Sequence, residues 1–415
     1  MQGYIPRPEE QSVFRAIELQ TKGRLTDAAR LLTQSLLRGA LTFESAYSLG
    51  AIAANEGSIH IAIAMFEAAL KFRPSSKECI EAIRLLERRR QALHPDHSPI
   101  APTRQEPSDN TLKSSSDDLN HYCTYFDSNY APRGLAMIDS LLKNDPHAII
   151  YVLCLDATTE SVLKDRHPSL LAITLDELCT ADPELSACRS NRSAIEWYFT
   201  ATSCLCHYLI TQSTQNLSAI TYLDADLFFY HSPKVLHEEC EDACAHVIEH
   251  RFTPHLESLI RYGRFNVGWI KFNNNDTGRR LLADYRSDCI DWCYDKLEGV
   301  LFADQKYLDF WPDLYPDLCI SKHLGANVAA WNVGSYQLSY DGAKLPYVNG
   351  VPLLFYHFHG IGRDPDGGYF VKGKPELGVE LKSLYAEYIN VLNCYEIELR
   401  RAHEINYKEL RYAAN

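Results

Sequence analysis

The stretch Ser218-Ala219-Ile220-Thr221-Tyr222-Leu223-Asp224-Ala225-Asp226-Leu227-Phe228-Phe229-Tyr230 decides how this chain is read. Residues 218–223 are β-prone and run straight into an acidic pair, and an apolar run follows at once. Two carboxylates set between hydrophobic segments are not an ordinary solvated pair. At a strand end, alternation sends residues two apart to the same side, so Asp224 and Asp226 can converge on one point. Like charges that close need a cation, and hard oxygen ligands suit Mg²⁺ or Mn²⁺. A metal held there can grip a diphosphate and offset the charge on a leaving phosphate.

A second stretch, Leu353-Leu354-Phe355-Tyr356-His357-Phe358-His359-Gly360, is an apolar strand ending in two histidines and a glycine. His357 and His359 share a strand face, and a neutral imidazole is a third ligand that favours Mn²⁺. Gly360 and Gly362 let the backbone approach phosphate, with Arg363 as charge partner. The glycines at 360, 362, 367, 368 and 373 predict a lid that orders on a diphosphate held by the metal and Arg363.

Working outward, strands and helices alternate from His121 onward. Residues 121–126 (HYCTYF) and 148–156 (AIIYVLCLD) read as strands. Residues 131–143 read as a helix striped by Leu135, Ile138, Leu141 and Leu142, and 193–211 as a long apolar helix. Such alternation predicts an α/β fold with a mostly parallel sheet covered by helices on both faces. Ligands in such sheets sit at the carboxyl ends of strands, here just after Phe126 and just after Leu223. The tail from 375 to about 412 is read as a helix with Leu381, Leu384, Tyr385, Tyr388, Ile389 and Leu392 on one face.

The start of the chain is different. Gly23, Ala28 and Leu32 recur as Gly57, Ala62 and Phe66 at a constant offset of 34, a helix–turn–helix period. With Leu49, Gly50, Ala69 and Pro74, the second unit resembles a tetratricopeptide repeat. Residues 1–94 are therefore read as a small all-α repeat module, one that binds a protein partner or self-associates. Residues 95–118, rich in Pro, Ser and Asp, are read as a flexible linker. Residues 119–415 form the α/β domain.

A formal net charge of −13 with no long basic run excludes dedicated nucleic-acid binding or a polybasic hold on lipid. There is no apolar run long enough for a membrane span and no signal-peptide pattern, so a cytoplasmic location is expected. The thirteen cysteines contain no C-x-x-C pair; buried free thiols are expected in place of zinc ligands or disulfides. The sequons at Asn216 and Asn275 are then chance matches.

Together the acidic pair and the late histidine resemble the metal-dependent glycosyltransferases of GT-A fold, the nucleotide-diphospho-sugar transferases, and most closely glycosyltransferase family 8. The likeness runs from about Tyr122 to Arg363. It implies that Asp224, Asp226 and His357 bind Mn²⁺ (or Mg²⁺). It implies that Tyr125, Asp127, Asn129 and Tyr130, closing the first strand, bind the nucleotide, with Tyr130 stacked on the base. Asn266 and Gly268, in Phe265-Asn266-Val267-Gly268, would contact the donor sugar. Asp304 and Gln305 would act beside the anomeric carbon, and His359, Gly360 and Arg363 would bind the diphosphate. The chain departs from the family in three places. Arg363 stands for a lysine, Asp364-Pro365 replaces Pro-Trp, and Thr200 stands for a basic residue that Arg192 replaces. Trp331 is either an acceptor platform or a core residue.

The expectation is a hexosyltransferase that moves a sugar, with retention, from a nucleotide diphosphate sugar to a protein, glycan or lipid-linked glycan. The alternative is a scaffold with an inactive transferase domain. Nucleotidyl transfer fits poorly, because Ala131–Met137 lacks the Gly-rich basic loop it needs.

Overall fold

The computed structural model describes residues 42–55, 57–93, 119–212, 216–364, 368–372, 378–403 and 405, together with positions 15, 16, 18, 19, 27, 28, 31 and 32. Helices α1 (Phe43–Asn55), α2 (Ile59–Leu70) and α3 (Lys77–Leu93) open the continuous part. Phe66 fills the space between α1 and α2, where a Cβ on Gly50 would lie 3.0 Å from its ring. Ala62, Phe66 and Ala69 are fully buried, and Gly57 turns the chain at φ +76°. Ala28 and Leu32 pack on Ile52. Gly23 and the linker 95–118 lie outside the described residues.

The sheet is built from β1 (Asn120–Phe126), β2 (Ala148–Cys154), β3 (Leu170–Thr174), β4 (Ala219–Leu223), β6 (Ala245–Glu249), β7 (Phe265–Asn273) and β8 (Cys319–Ile320), in the order β3-β2-β1-β4-β7-β6-β8. Pairing is parallel for β3-β2-β1-β4 and for β6-β8, and antiparallel on both sides of β7. The architecture is thus mixed α/β with a mostly parallel sheet. The chain moves outward through β2 and β3, then returns to lay β4 on the other side of β1. The crevice where the order reverses is the natural ligand site of such a sheet.

Helix α4 (Ala131–Asn144) follows β1, α5 (Ala194–Thr211) precedes β4, and α6 (Asp276–Asp291) follows β7. A small sheet completes the crevice. β5 (Leu227–Phe229) pairs with β13 (Phe355–His357), and β13 with β9 (Val328–Ala329). Elsewhere β10 (Leu338–Tyr340), β11 (Pro346–Val348) and β12 (Val351–Pro352) form a separate sheet, and β14 (Ile361–Arg363) pairs with β15 (Tyr369–Val371). Helix α7 (Val379–His403) buries Leu384, Tyr385, Tyr388 and Leu392, with Leu381 and Ile389 half-buried, as the apolar stripe requires.

One expectation changes here. Cys240 and Cys319 are joined in a disulfide across 79 residues. The pairing of β6 with β8 brings them together, which cysteine spacing does not reveal. The other cysteines are free, buried except for Cys179 and Cys394. Helices α1–α3 also share one continuous core with the α/β domain. Among the described residues no helix is long and apolar enough to cross a membrane.

Candidate active site

The acidic pair lies at the carboxyl end of β4. Asp224 N donates to Gly268 O of β7 at 3.1 Å. β13 places His357 opposite Leu227, and Phe358 N donates to Asp226 O at 2.9 Å. The His357 Nε2 atom is therefore 3.1 Å from Asp226 Oδ1 and 3.6 Å from Asp224 Oδ2. His359, exposed at the mouth, has a ring nitrogen within 4.8 Å of ligand atoms of Asp226 and His357. Tyr222 Oη donates to Asp224 Oδ1, and Tyr130 Oη to Asp226 Oδ2, each at 3.0 Å. Among the described residues no lysine or arginine pairs with either carboxylate. Gly268 has no room for a side chain: its Cβ would lie 2.7 Å from Asn266 Oδ1 and 2.9 Å from His357 Cε1.

The electrostatics follow from this imbalance. Burial raises the Asp224 pKa to about 6; His357 opposes the rise and Asp226 adds to it. Burial would raise Asp226 too, but the His357 charge and hydrogen bond, then His359 and Arg133, hold it far below the carboxylate range. Burial opposes charge on His357, and the two carboxylates overcome it, so its pKa is raised. Two carboxylates with one imidazole in direct contact, and His359 and Arg133 acting from farther off, suit a divalent cation.

Asp304 stands behind the pair. It is 4 % exposed, and burial, then the Asp224 charge, raise its pKa to about 7. Tyr285 Oη donates to Asp304 Oδ2 at 3.3 Å. Ala303, in the left-handed region at φ +46°, turns the chain into Asp304. Gln305 Nε2 donates to Tyr262 O at 3.1 Å, so its side chain leans on the turn at Pro254–Tyr262. Tyr125 lies by Thr202 (3.3 Å) and feels the charges of Asp304 and Asp224. Asp127 Oδ1 accepts from Tyr130 N at 2.9 Å, closing the turn that holds Asn129. Asn266 spans Gly268 N (3.0 Å) and His250 Nε2 (3.2 Å). Trp331 stands edge-on to His357 with ring centres 5.1 Å apart, and near His359 and His250.

Two candidates lie elsewhere. Arg363 is 3 % exposed and forms two hydrogen bonds with Glu396 of α7, at 2.8 and 2.6 Å. Its guanidinium is engaged by Glu396, which stands against the expected diphosphate role. Sequence reasoning could not see an acid 33 residues away. Residues 361–363 and 369–371 also form a paired hairpin, with Ile361 and Tyr369 buried, rather than an unpaired flap. Residues 365–367 and 373–374 of the expected lid lie outside the described residues. Gly360, at φ +83°, turns into that hairpin. Arg192 bonds to Thr200 Oγ1 (2.8 Å) and Ile290 O (2.7 Å) at the seam of α5 and α6.

Sequence reasoning missed Tyr222, His250 and Asn332. Tyr222 sits two residues before Asp224, so alternation could have found it. His250, its pKa pushed down to about 3 by burial, accepts from Asn266; Asn332 ties the His250, Asn327 and Ala329 backbones together. Only tertiary pairing reveals those two.

Cys240, His246 and Cys319 also lie within 4.8 Å of one another. Trp269 Nε1 donates to His246 Nδ1 at 3.2 Å, so in the neutral ring Nε2 carries the hydrogen and offers no lone pair. With the sulfurs bonded to each other, this cluster is not a metal centre.

No protein-family profile matches the chain. It is 29 % identical over 245 residues to the uncharacterised protein YfnD of Bacillus subtilis (strain 168), spanning 58 % of this chain and 78 % of YfnD. It is 29 % identical over 247 residues to YfnF of the same organism, spanning 58 % and 80 %. Among solved structures it is similar to the galactosyltransferase LgtC in complex with donor and acceptor sugar analogues (TM-score 0.43, 15 % identity, 66 % of this chain and 95 % of that one). It is also similar to mouse xyloside xylosyltransferase 1 in its apo form (TM-score 0.40, 14 % identity, 58 % and 97 %).

Proposed function

We propose that the chain is a GT-A glycosyltransferase that moves a sugar, with retention, from a nucleotide diphosphate sugar to an acceptor hydroxyl. The observation that carries the reading is the meeting of Asp224, Asp226 and His357 at the sheet's reversal crevice, with no lysine or arginine paired to either carboxylate among the described residues. Asp224, Asp226 and His357 would hold Mn²⁺ or Mg²⁺, with His359 beside them. When bound, the ion supplies positive charge for the departing diphosphate.

The chain's own groups supply the rest. Tyr222 and Tyr130 orient the carboxylates through their hydroxyls. The turn closed by Asp127 and Tyr130 would meet the nucleotide, and Asn266, held by His250, would meet the sugar. The acceptor oxygen bonds to the anomeric carbon, the anomeric carbon–phosphate oxygen bond breaks, and the departing phosphate oxygen takes the acceptor proton. Asp304 and Gln305 border the positive charge that develops on the ring. A site retired to scaffolding has no reason to keep this set of ligands.

The test is release of nucleoside diphosphate and sugar from a panel of nucleotide sugars, with and without Mn²⁺, followed by anomer analysis of the transferred sugar. Metal-independent release, or none with any donor, would sink the proposal.

A further inference from the structure

We infer that helices α1–α3 are a positioning brace for the segment that carries Asp304 and Gln305, and so belong to the catalytic unit instead of recruiting a partner to it. The inference rests on the transferase reading above.

Three contacts lead from the helices to that segment. The first is ionic. Arg84 and Arg88 of α3 donate to Asp288 of α6 at 2.5 and 2.7 Å, and Asp288 is only 3 % exposed. One turn earlier on α6, Tyr285 donates to Asp304 itself. The hydroxyl of Tyr307, three residues beyond Asp304, lies 3.0 Å from Asp288 O and 2.7 Å from Trp292 O. The arginines thus anchor the helix turn from which both ends of the segment hang.

The second contact is steric. Gly299 lies at φ +62°, and a Cβ there would be 2.7 Å from Tyr47 Oη of α1. Residues 294–303 close on themselves through Ala303 N to Tyr294 O (3.0 Å), so Tyr47 sets the height of the whole turn. The third is at the far end, where Arg89 pairs with Asp313 at 2.6 Å and lies over the Phe310 ring. Between them, Phe66 and Leu86 share a core with Val300, Leu301 and Tyr307.

The segment needs such support. Ala303 occupies a left-handed conformation that is strained in a non-glycine residue and persists only where the surroundings over-determine it. Helix α6 reaches Asp304 from one side. The helices reach the segment's outer side.

The experiment uses the full chain. Arg84→Gln/Arg88→Gln leaves Asp288 buried without its cations. Hydrogen exchange over residues 294–310 should then rise about ten-fold, while that of residues 219–229 stays unchanged. With whichever uridine or guanosine diphosphate sugar the parent turns over fastest, kcat should fall about ten-fold and donor KM should hold within about two-fold. Arg84→Lys/Arg88→Lys should recover most of both losses, and Arg73→Gln, on the helices' exposed Glu44 pair, should change neither. Should the double variant not fold, Gly299→Ala presses the turn off Tyr47 and should give the same exchange and kcat changes. Unchanged exchange over 294–310, or raised exchange with unchanged kcat, overturns the brace. If the parent turns over no nucleotide sugar, the transferase reading fails, and the exchange comparison still decides whether the brace exists.

Discussion

Two of the regions that bury carboxylates do so in opposite ways. At the end of β4, Asp224 and Asp226 face one histidine, with Asp304 behind them. Under α7, Glu396 meets Arg363 at 2.6 Å and Arg400 at 3.0 Å, more than enough cation to satisfy it. The pKa values follow. Burial raises Asp224 to about 6 and Asp304 to about 7. At Glu396 burial is overcome by the hydrogen bonds of Arg363 and then Arg400, which lower it to about 2. A buried acid whose charge is balanced on the spot holds structure together. Buried acids left in excess of cations are waiting for one.

The sharpest way to break this contrast is to neutralise one acid of each kind. Asp226→Asn should cut turnover in excess Mn²⁺ by roughly a thousand-fold or more, while the melting temperature of the metal-free protein falls somewhat, because the ion pair with His357 that holds the Asp226 pKa down is lost. Near-normal turnover would end the metal-site assignment. Glu396→Gln should do the reverse. It takes the carboxylate partner from buried Arg363, costing about 3 kcal/mol of stability, and should leave nucleotide diphosphate affinity at a permissive temperature within about three-fold. A large loss of affinity with intact stability would return Arg363 to the ligand site.

A smaller effect comes from pH. Because the Asp304 pKa is raised in the folded state, from 3.8 to about 7, the folded protein holds a proton that the unfolded chain has lost. Stability from this group therefore falls as pH rises from about 4 through about 7. Asp304→Asn removes that titration, so its melting temperature should gain on the parent's across this range in metal-free buffer. A constant difference between the two would mean that Asp304 is charged throughout. Glu396 has the opposite sign. Its folded pKa is depressed, so its contribution is present above about 4.5 and is lost as pH falls towards about 2. The smallest change expected is His359→Ala, which should weaken Mn²⁺ by about ten-fold, less than His357→Ala, as read by isothermal titration. Equal losses would make the two histidines equivalent ligands.

The acids and histidines of the cleft were legible because each follows an apolar run, and a strand end is a local property. Helices α4 and α7 were legible from their apolar stripes, and strands β1, β2 and β4 and helix α5 from apolar or β-prone runs of the right length. Arg363 misled because its type and position suited a phosphate, while its partner lay on another element.

By itself, the sequence determined the order of strands and helices, the residues that carry charge in the cleft, and the close contact of α1 with α2 through Gly50 and Phe66. All of these depend on neighbours within a turn, a strand or a hairpin. The tertiary structure decided the rest: that β13 slots beside β5 to bring His357 to Asp226, that Arg363 is consumed by Glu396, that Cys240 meets Cys319, and that Arg84 reaches Asp288 from 204 residues away. An ion pair or a strand register is a contest among many candidate partners of the same type. Only the packed chain, where burial makes each unpaired charge costly, picks the winner.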